Sequence, residues 1–218
     1  MIVVYCIATG PYKVYIEKFL DSLANLRPNE QKTVVLLTDN DGAIQEYLRI
    51  VHHHISDAPW PIVSLLKMWY VNKYWVDCDE AFYLDIDTLV TRDLPRVSGR
   101  IMLTRHTCSW KEDNDGHDFL RLEDDNPQSL SHIGRLPYTY VQSGSWGGDS
   151  AVVRKMVSDV AEWVEDDLTR GVIPRWHDES YLNKWQVLNS ELCVIGRYMG
   201  DGCAIQFANN TDFKNKRR

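Results

Sequence analysis

The chain has 218 residues, 44% of them hydrophobic and 25% charged. That is ordinary globular composition and enough length to bury a sizeable core. A formal net charge of −7 and a pI of about 5.5 exclude duplex nucleic acid as a partner for the body of the protein. The five cysteines are odd in number and lack a Cys-x-x-Cys spacing, which argues against a disulfide framework and for a reducing compartment.

Residues 2–8 form an apolar run, read as a first buried parallel strand, and Thr9-Gly10-Pro11-Tyr12 as a turn. Val14, Ile16, Phe19, Leu20, Leu23 and Leu26 recur near a 3.6 period, predicting a helix that Pro28-Asn29 ends. Residues 33–38 read as a second buried strand, 43–49 as a short helix and 50–55 as a third strand. That third strand holds His52, His53 and His54, whose side chains would alternate between faces and so could not share one metal. Residues 60–76 read as a helix with Pro61 in its first turn.

Residues 81–84 are a short buried strand that delivers Asp85 and Asp87, one residue apart, at its end. Ligands of open α/β sheets bind at the carboxyl ends of strands. Two carboxylates so close repel unless a cation lies between them, and a hard divalent ion bridging carboxylate and phosphate oxygens meets that need. The bland alternative is a strand-end turn with two solvated aspartates.

Residues 100–104 predict a further strand. Residues 106–137 are polar and irregular, an insert expected to wall a substrate pocket. Its Asp113–Asp118 portion suggests a calcium loop but lacks the full ligand pattern. Residues 141–146 read as a strand, Gly147-Gly148 as a tight turn, and Asp149 or Ser150 as the cap of a helix over 151–168. Trp176-His177-Asp178-Glu179 then sets an aromatic beside an imidazole and two carboxylates, costly groups to bury without a purpose. With Ser180 onward helical, Glu179 and Asn183 share a face one turn apart; Asp178 and Glu179 also suit a helix N-terminus. Residues 207–218 read as a basic tail. Alternating strands and helices predict an α/β fold with a mixed, mostly parallel sheet, in a single domain spanning 1–218. No signal peptide opens the chain and no apolar run approaches the roughly 18 residues of a membrane span, so a cytoplasmic protein without a transmembrane segment is expected.

Taken together these stretches resemble family 6 glycosyltransferases, which include the histo-blood-group A and B transferases and the α1,3-galactosyltransferase. Trp176–Lys184 reads W-H-D-E-S-Y-L-N-K against the family's W-H-D-E-S-H-L-N-K. Ile7–Tyr12 is similar to the family's uridine-contacting segment, and residues 60–68 to its W-x-x-x-S-x-x-R-M helix. Asp85-Ile86-Asp87 is similar to its D-V-D, Pro127-Gln128-Ser129 to its P-Q-S loop, and residues 140–148 to its donor-selecting strand.

The resemblance implies a GT-A fold and retaining α1,3 transfer of galactose or N-acetylgalactosamine from a UDP-sugar to a glycan or glycolipid acceptor. It implies Mn²⁺, or another divalent cation, held by Asp85 and Asp87. Glu179 is the implied catalytic carboxylate, either a covalent nucleophile or a stabiliser of an oxocarbenium-like transition state. Donor contacts are implied for Ile7, Ala8, Thr9, Tyr12, Ser64, Lys67, Asp85, Gln142, Ser143, Gly144, Asp178 and Lys214. Acceptor contacts are implied for Trp176, His177 and Gln142. Small Ser143 and Gly144 would leave room for an N-acetyl group and favour GalNAc. Lys67 stands where the family has Arg, without its bidentate geometry, and Ile7 replaces the family's Phe, weakening stacking on the base.

Three rivals accompany this reading. A different retaining GT-A enzyme would use another donor such as UDP-glucose. Asp85-x-Asp87 also fits a haloacid-dehalogenase-type phosphatase, but that family carries the motif on its first strand, and here the α/β pattern of residues 2–76 precedes it. A non-catalytic sugar- or nucleotide-binding protein would have little reason to keep both Asp85-x-Asp87 and Glu179.

Overall fold

The structure is a computed structural model that describes residues 1–39, 49–106, 126–134, 138–199 and 202–208. Seven strands form one mixed sheet. They are β1 (Ile2–Ala8), β2 (Lys32–Thr38), β3 (Arg49–His54), β4 (Glu80–Leu84), β6 (Ile101–Arg105), β7 (Val141–Asp149) and β8 (Cys193–Gly196), in the order β3-β2-β1-β4-β7-β6-β8. Strands β1 to β4 pair in parallel, β7 runs antiparallel between β4 and β6, and β8 pairs parallel to β6. A two-stranded ribbon of β5 (Thr88–Val90) and β9 (Ile205–Phe207) stands beside it.

The continuous apolar runs arise because the inner strands are covered on both faces. Val3 and Tyr5 of β1 point into one core with α3 (Lys67–Lys73), α4 (Ser150–Thr169) and α5 (Asp178–Leu188). Ile2, Val4, Cys6 and Ala8 point into the opposite core, with α1 (Ile16–Ser22) and Leu23. Asp149 caps α4 by accepting the Ala151 N–H at 3.1 Å, and its stripe of Val153, Met156, Val157, Val160 and Val164 is fully buried.

Several expectations change. Gly147-Gly148 is no turn: both residues lie inside β7, and a Cβ on Gly147 would meet Phe82 Cδ1 at 2.4 Å and the Ala81 carbonyl at 2.6 Å. The glycines let three backbones close up, a signal that looks like a turn until the neighbouring strands are known. The helix expected over 60–76 is two pieces, α2 (Ile62–Leu65) and α3, broken at Leu66, with Pro61 as N-cap rather than in the first turn. Residues Gly10–Tyr15 and Leu23–Asn25, expected within one α-helix or its preceding turn, are 3₁₀ turns. Phe207 belongs to β9, not to a tail. The helix expected over 43–49 falls outside the described residues except for Arg49, which begins β3. The Asp113–Asp118 loop and Lys214 lie wholly outside them.

This topology fixes the site. The chain leaves β1 toward β2 and β3, then returns to β4 on the other side of β1. The carboxyl ends of β1 and β4 are therefore the switch point where an α/β sheet opens a crevice. Because β7 is antiparallel, its first residues reach the same edge, and Leu84 pairs with Ser145. Among the described residues no helix is long and apolar enough to cross a membrane.

Candidate active site

A cavity of about 350 Å³ opens at the switch point, lined at one side by Ile7, Thr9 and Tyr12 and at the other by Lys67, Asp85 and Asp87. Ser64 and Trp60 contribute from the α2 side. Ala8 does not line it. Its side chain is in the core and its carbonyl accepts the Thr38 hydroxyl at 2.5 Å.

Backbone contacts hold the two aspartates. The Asp85 N–H donates to the Gly144 carbonyl at 2.8 Å, tying the end of β4 to β7. The Asp85 carbonyl accepts the Thr88 hydroxyl at 2.6 Å, and the Asp87 carbonyl accepts the Ala208 N–H at 2.7 Å. Asp85 Oδ1 accepts the Tyr83 hydroxyl at 3.0 Å. Tyr83 was not singled out from the sequence, although it shares Asp85's side of the strand by the two-residue period.

Lys67 is the electrostatic centre. It is buried, and its Nζ lies 2.8 Å from Asp178 Oδ2 and 3.2 Å from Asp85 Oδ1. It also donates to the Ser143 carbonyl at 3.2 Å and hydroxyl at 3.3 Å, and sits 4.8 Å from the centre of the Tyr83 ring. Burial disfavours its ammonium form, but Asp178 and Asp85 more than offset that and hold its pKa above the ordinary lysine value. Its charge therefore serves first to join α3, β4 and α5.

The room expected beside Ser143 and Gly144 is filled. A Cβ on Gly144 would lie 2.8 Å from Asp85 Oδ2 and 3.4 Å from Met199 Cε, and the Ser143 hydroxyl is engaged by Lys67. The small residues accommodate Asp85 and Lys67, which removes the steric ground for preferring an N-acetyl donor. Gln142 is buried on the same strand, and its Nε2 has no hydrogen-bond partner among the described residues.

Helix α5 delivers the second half of the site. His177 caps it at φ +53, a left-handed conformation uncommon for a side-chain-bearing residue. Its ring meets exposed Trp60 edge-on at 4.8 Å. Trp176 is half-buried, and its backbone N–H donates to the Ser180 hydroxyl at 3.1 Å. Asp178 is buried against Lys67. Glu179 turns toward β7: Oε2 accepts the Tyr140 hydroxyl at 2.7 Å, and Oε1 lies 3.4 Å from the Ser143 N–H that donates to it. Burial pushes the Glu179 pKa up to about 7; Asp178 adds to the rise, while Tyr140, Ser143 and Lys67 oppose it. Asn183 welds the arrangement, exchanging bonds of 2.9 and 2.8 Å with the Val141 backbone and donating to the Glu179 carbonyl at 2.8 Å. The periodicity that puts Glu179 and Asn183 on one face is legible in the sequence; the role of Tyr140 is not.

Asp85 and Asp87 face one cavity, so their oxygens suit a hard divalent ion. Among the described residues no group of three or more His, Cys, Asp or Glu side chains gathers. Two carboxylates suffice for an ion that also takes phosphate oxygens and water, so the residues present fit such an ion. The three histidines of β3 are dispersed, with His53 stacked on Tyr74 at 4.1 Å and His52 and His54 exposed.

No protein-family model matches the chain. The chain is similar to the O-antigen biosynthesis glycosyltransferase WbnI of Escherichia coli, with 22% identity over 205 residues. The match covers 89% of this chain and 86% of that protein.

Proposed function

We propose that the protein is a retaining glycosyltransferase that moves galactose or N-acetylgalactosamine from a UDP-sugar to a hydroxyl of a glycan or glycolipid, with α1,3 linkage. The observation that carries this reading is the meeting of two groups at one sheet edge. Asp85 and Asp87 open onto the cavity at the end of β4, and Glu179 lies against the start of the neighbouring strand β7, on a helix tied to Asp85 through Asp178 and Lys67. The similarity to a glycosyltransferase over most of both chains supports the class.

In this reading Asp85 and Asp87 hold a divalent ion, Mn²⁺ by expectation. When bound, that ion neutralises the charge that builds on the diphosphate as it leaves. Tyr83 and Lys67 fix the Asp85 carboxylate. Asp178, itself fixed by Lys67, faces the sugar hydroxyls. Glu179 opposes the electron-poor anomeric carbon as its bond to the diphosphate oxygen breaks and the electron pair leaves with UDP. Tyr140, Ser143 and Asn183 set the direction of that carboxylate. Trp176, His177 and Trp60 offer aromatic surface to the acceptor.

The test is UDP release from UDP-GalNAc, UDP-Gal and UDP-Glc, with Mn²⁺ and with EDTA, by wild type and Glu179→Gln. Metal-dependent turnover of a galacto-configured donor, lost in the variant, is the expected result. Turnover of UDP-Glc alone assigns another donor. Turnover indifferent to EDTA removes the metal from Asp85 and Asp87. Hydrolysis of simple phosphate esters without sugar transfer overturns the reading.

A further inference from the structure

Asp57 is an acidic residue with no place in the chemistry above. It lines the cavity on an exposed stretch after β3, and its carboxylate accepts no hydrogen bond from the described residues. It lies over Gly10 at the end of β1: a Cβ placed on Gly10 would be 3.3 Å from Oδ2 and 3.4 Å from Oδ1. Gly10 adopts φ +54, so a side chain is disfavoured there both by conformation and by Asp57. The neighbouring acid, Asp39 at the end of β2, is already engaged by the Gly10 N–H at 3.2 Å and Lys13 at 3.1 Å. Among the described residues Asp57 is thus the acidic group left unengaged at this end.

Position along the sheet edge gives it a meaning. Glu179 touches the start of β7, Asp85 and Asp87 follow β4, and Asp57 covers the end of β1. These strands are consecutive neighbours in the sheet, each about 4.8 Å from the next. A sugar nucleotide strings hexose, diphosphate and ribose in that same order. A carboxylate repels a diphosphate and can only accept hydrogen bonds, so the part of the ligand that reaches Asp57 must be neutral and must donate. The vicinal hydroxyls of a ribose offer two donors to two carboxylate oxygens.

Resting on the UDP-sugar reading, we propose that Asp57 binds the 2′- and 3′-hydroxyls of the donor's ribose and so selects ribonucleotide donors. The experiment measures affinity for UDP, 2′-deoxy-UDP and N3-methyl-UDP by calorimetry with Mn²⁺ present, using wild type and Asp57→Ala. Melting curves verify that the exposed substitution leaves the fold intact. Wild type should lose about tenfold in affinity when the 2′-hydroxyl is removed, the size of one charge-assisted hydrogen bond. Asp57→Ala, which deletes both contacts, should lose at least that factor for UDP and should no longer distinguish UDP from 2′-deoxy-UDP, since the partner of the 2′-hydroxyl is gone. Additive losses, or undiminished discrimination in Asp57→Ala, overturn the proposal while leaving the donor reading intact. Discrimination against N3-methyl-UDP that vanishes in Asp57→Ala assigns the carboxylate to the base and also overturns it. Failure of wild type to bind UDP at all overturns the nucleotide reading itself, and this proposal with it.

Discussion

Tyr140 donates its phenolic hydrogen to Oε2 of Glu179 across 2.7 Å, so the last residue before β7 steers the first turn of α5. The bond matters because burial works against the Glu179 carboxylate, pushing its pKa up to about 7. In the proposed transfer only the ionised form is useful. Activity should therefore fall as pH drops through about 7. Tyr140→Phe removes a donor that favours the carboxylate, so the acid limb of the kcat profile should move to higher pH while the KM for donor changes little. A rate that falls equally at every pH would make Tyr140 a packing residue only.

The same shift has a stability consequence of opposite sense. A carboxyl whose pKa is higher folded than unfolded stabilises the protein when protonated, below its ordinary value of 4.5. That contribution is lost as pH rises through about 7. Glu179→Gln keeps the neutral shape at all pH values. Its melting temperature should exceed that of wild type at pH 8, with the difference shrinking or reversing at pH 5. Equal differences at both pH values would show that Glu179 is not strained by its burial.

Lys67 offers a test of charge economy. Its side chain is 6% exposed and is shared by Asp178 and Asp85. Lys67→Met leaves two carboxylates without their common cation, a change that costs about 3–5 kcal/mol when a buried pair is broken. A large fall in denaturation midpoint is expected, read by urea unfolding. Lys67→Arg retains the charge and a fork able to reach both acids, so it should recover most of the stability. If Lys67→Met proves as stable as wild type, the three elements are joined by packing alone.

How much of this was legible beforehand follows from what each residue depends on. Strands β1, β2 and β4 stand out because two-sided burial writes itself as unbroken apolar runs. Asp85 and Asp87 are visible because they terminate such a run. Gly147-Gly148 was misread since its cause is Phe82 and the Ala81 carbonyl on a distant strand. Lys67 enters from the resemblance as a donor contact, whereas its charge is already divided between two acids separated from it by 18 and 111 positions. Ser143 and Gly144 read as space because nothing local shows that Asp85 and Lys67 fill it. Asp57 carried no signal, as its place depends on how the stretch after β3 folds over Gly10.

Gly144→Ala follows directly. The new methyl would stand 2.8 Å from Asp85 Oδ2 and 3.4 Å from Met199 Cε. The first distance is too short for contact, and Asp85 is short and already held by Tyr83, Lys67 and its own backbone. Its carboxylate must turn, so under the proposed reading UDP binding in the presence of Mn²⁺ should weaken at least tenfold while the fold persists. Calorimetry with UDP and Mn²⁺ reads this, and unchanged affinity would show that Asp85 is not needed in its present position.

Asp167 tests how the Pro127-Gln128-Ser129 segment is held. It is fully buried near the end of α4 and accepts the Ser129 hydroxyl at 2.7 Å, the Leu130 N–H at 3.0 Å and the Tyr181 hydroxyl at 2.7 Å, with Arg170 beside it. One carboxylate thus pins Ser129, the end of the Pro127-Gln128-Ser129 segment, and Leu130 after it to both α4 and α5, the helix that carries Glu179. Asp167→Ala strands the two buried hydroxyl donors of Ser129 and Tyr181, each costing about 1–3 kcal/mol when left unpaired, and frees the partly buried Leu130 N–H. The melting temperature should fall sharply. Asp167→Asn keeps the shape and one accepting oxygen, so it should be milder in stability yet still loosen the segment. Limited proteolysis should then cut near residues 126–134 faster in Asp167→Asn than in wild type at a temperature where both are folded. Cleavage at the same rate would mean that the segment is held by Lys184, which donates to the His132 carbonyl at 2.6 Å, rather than by the buried acid.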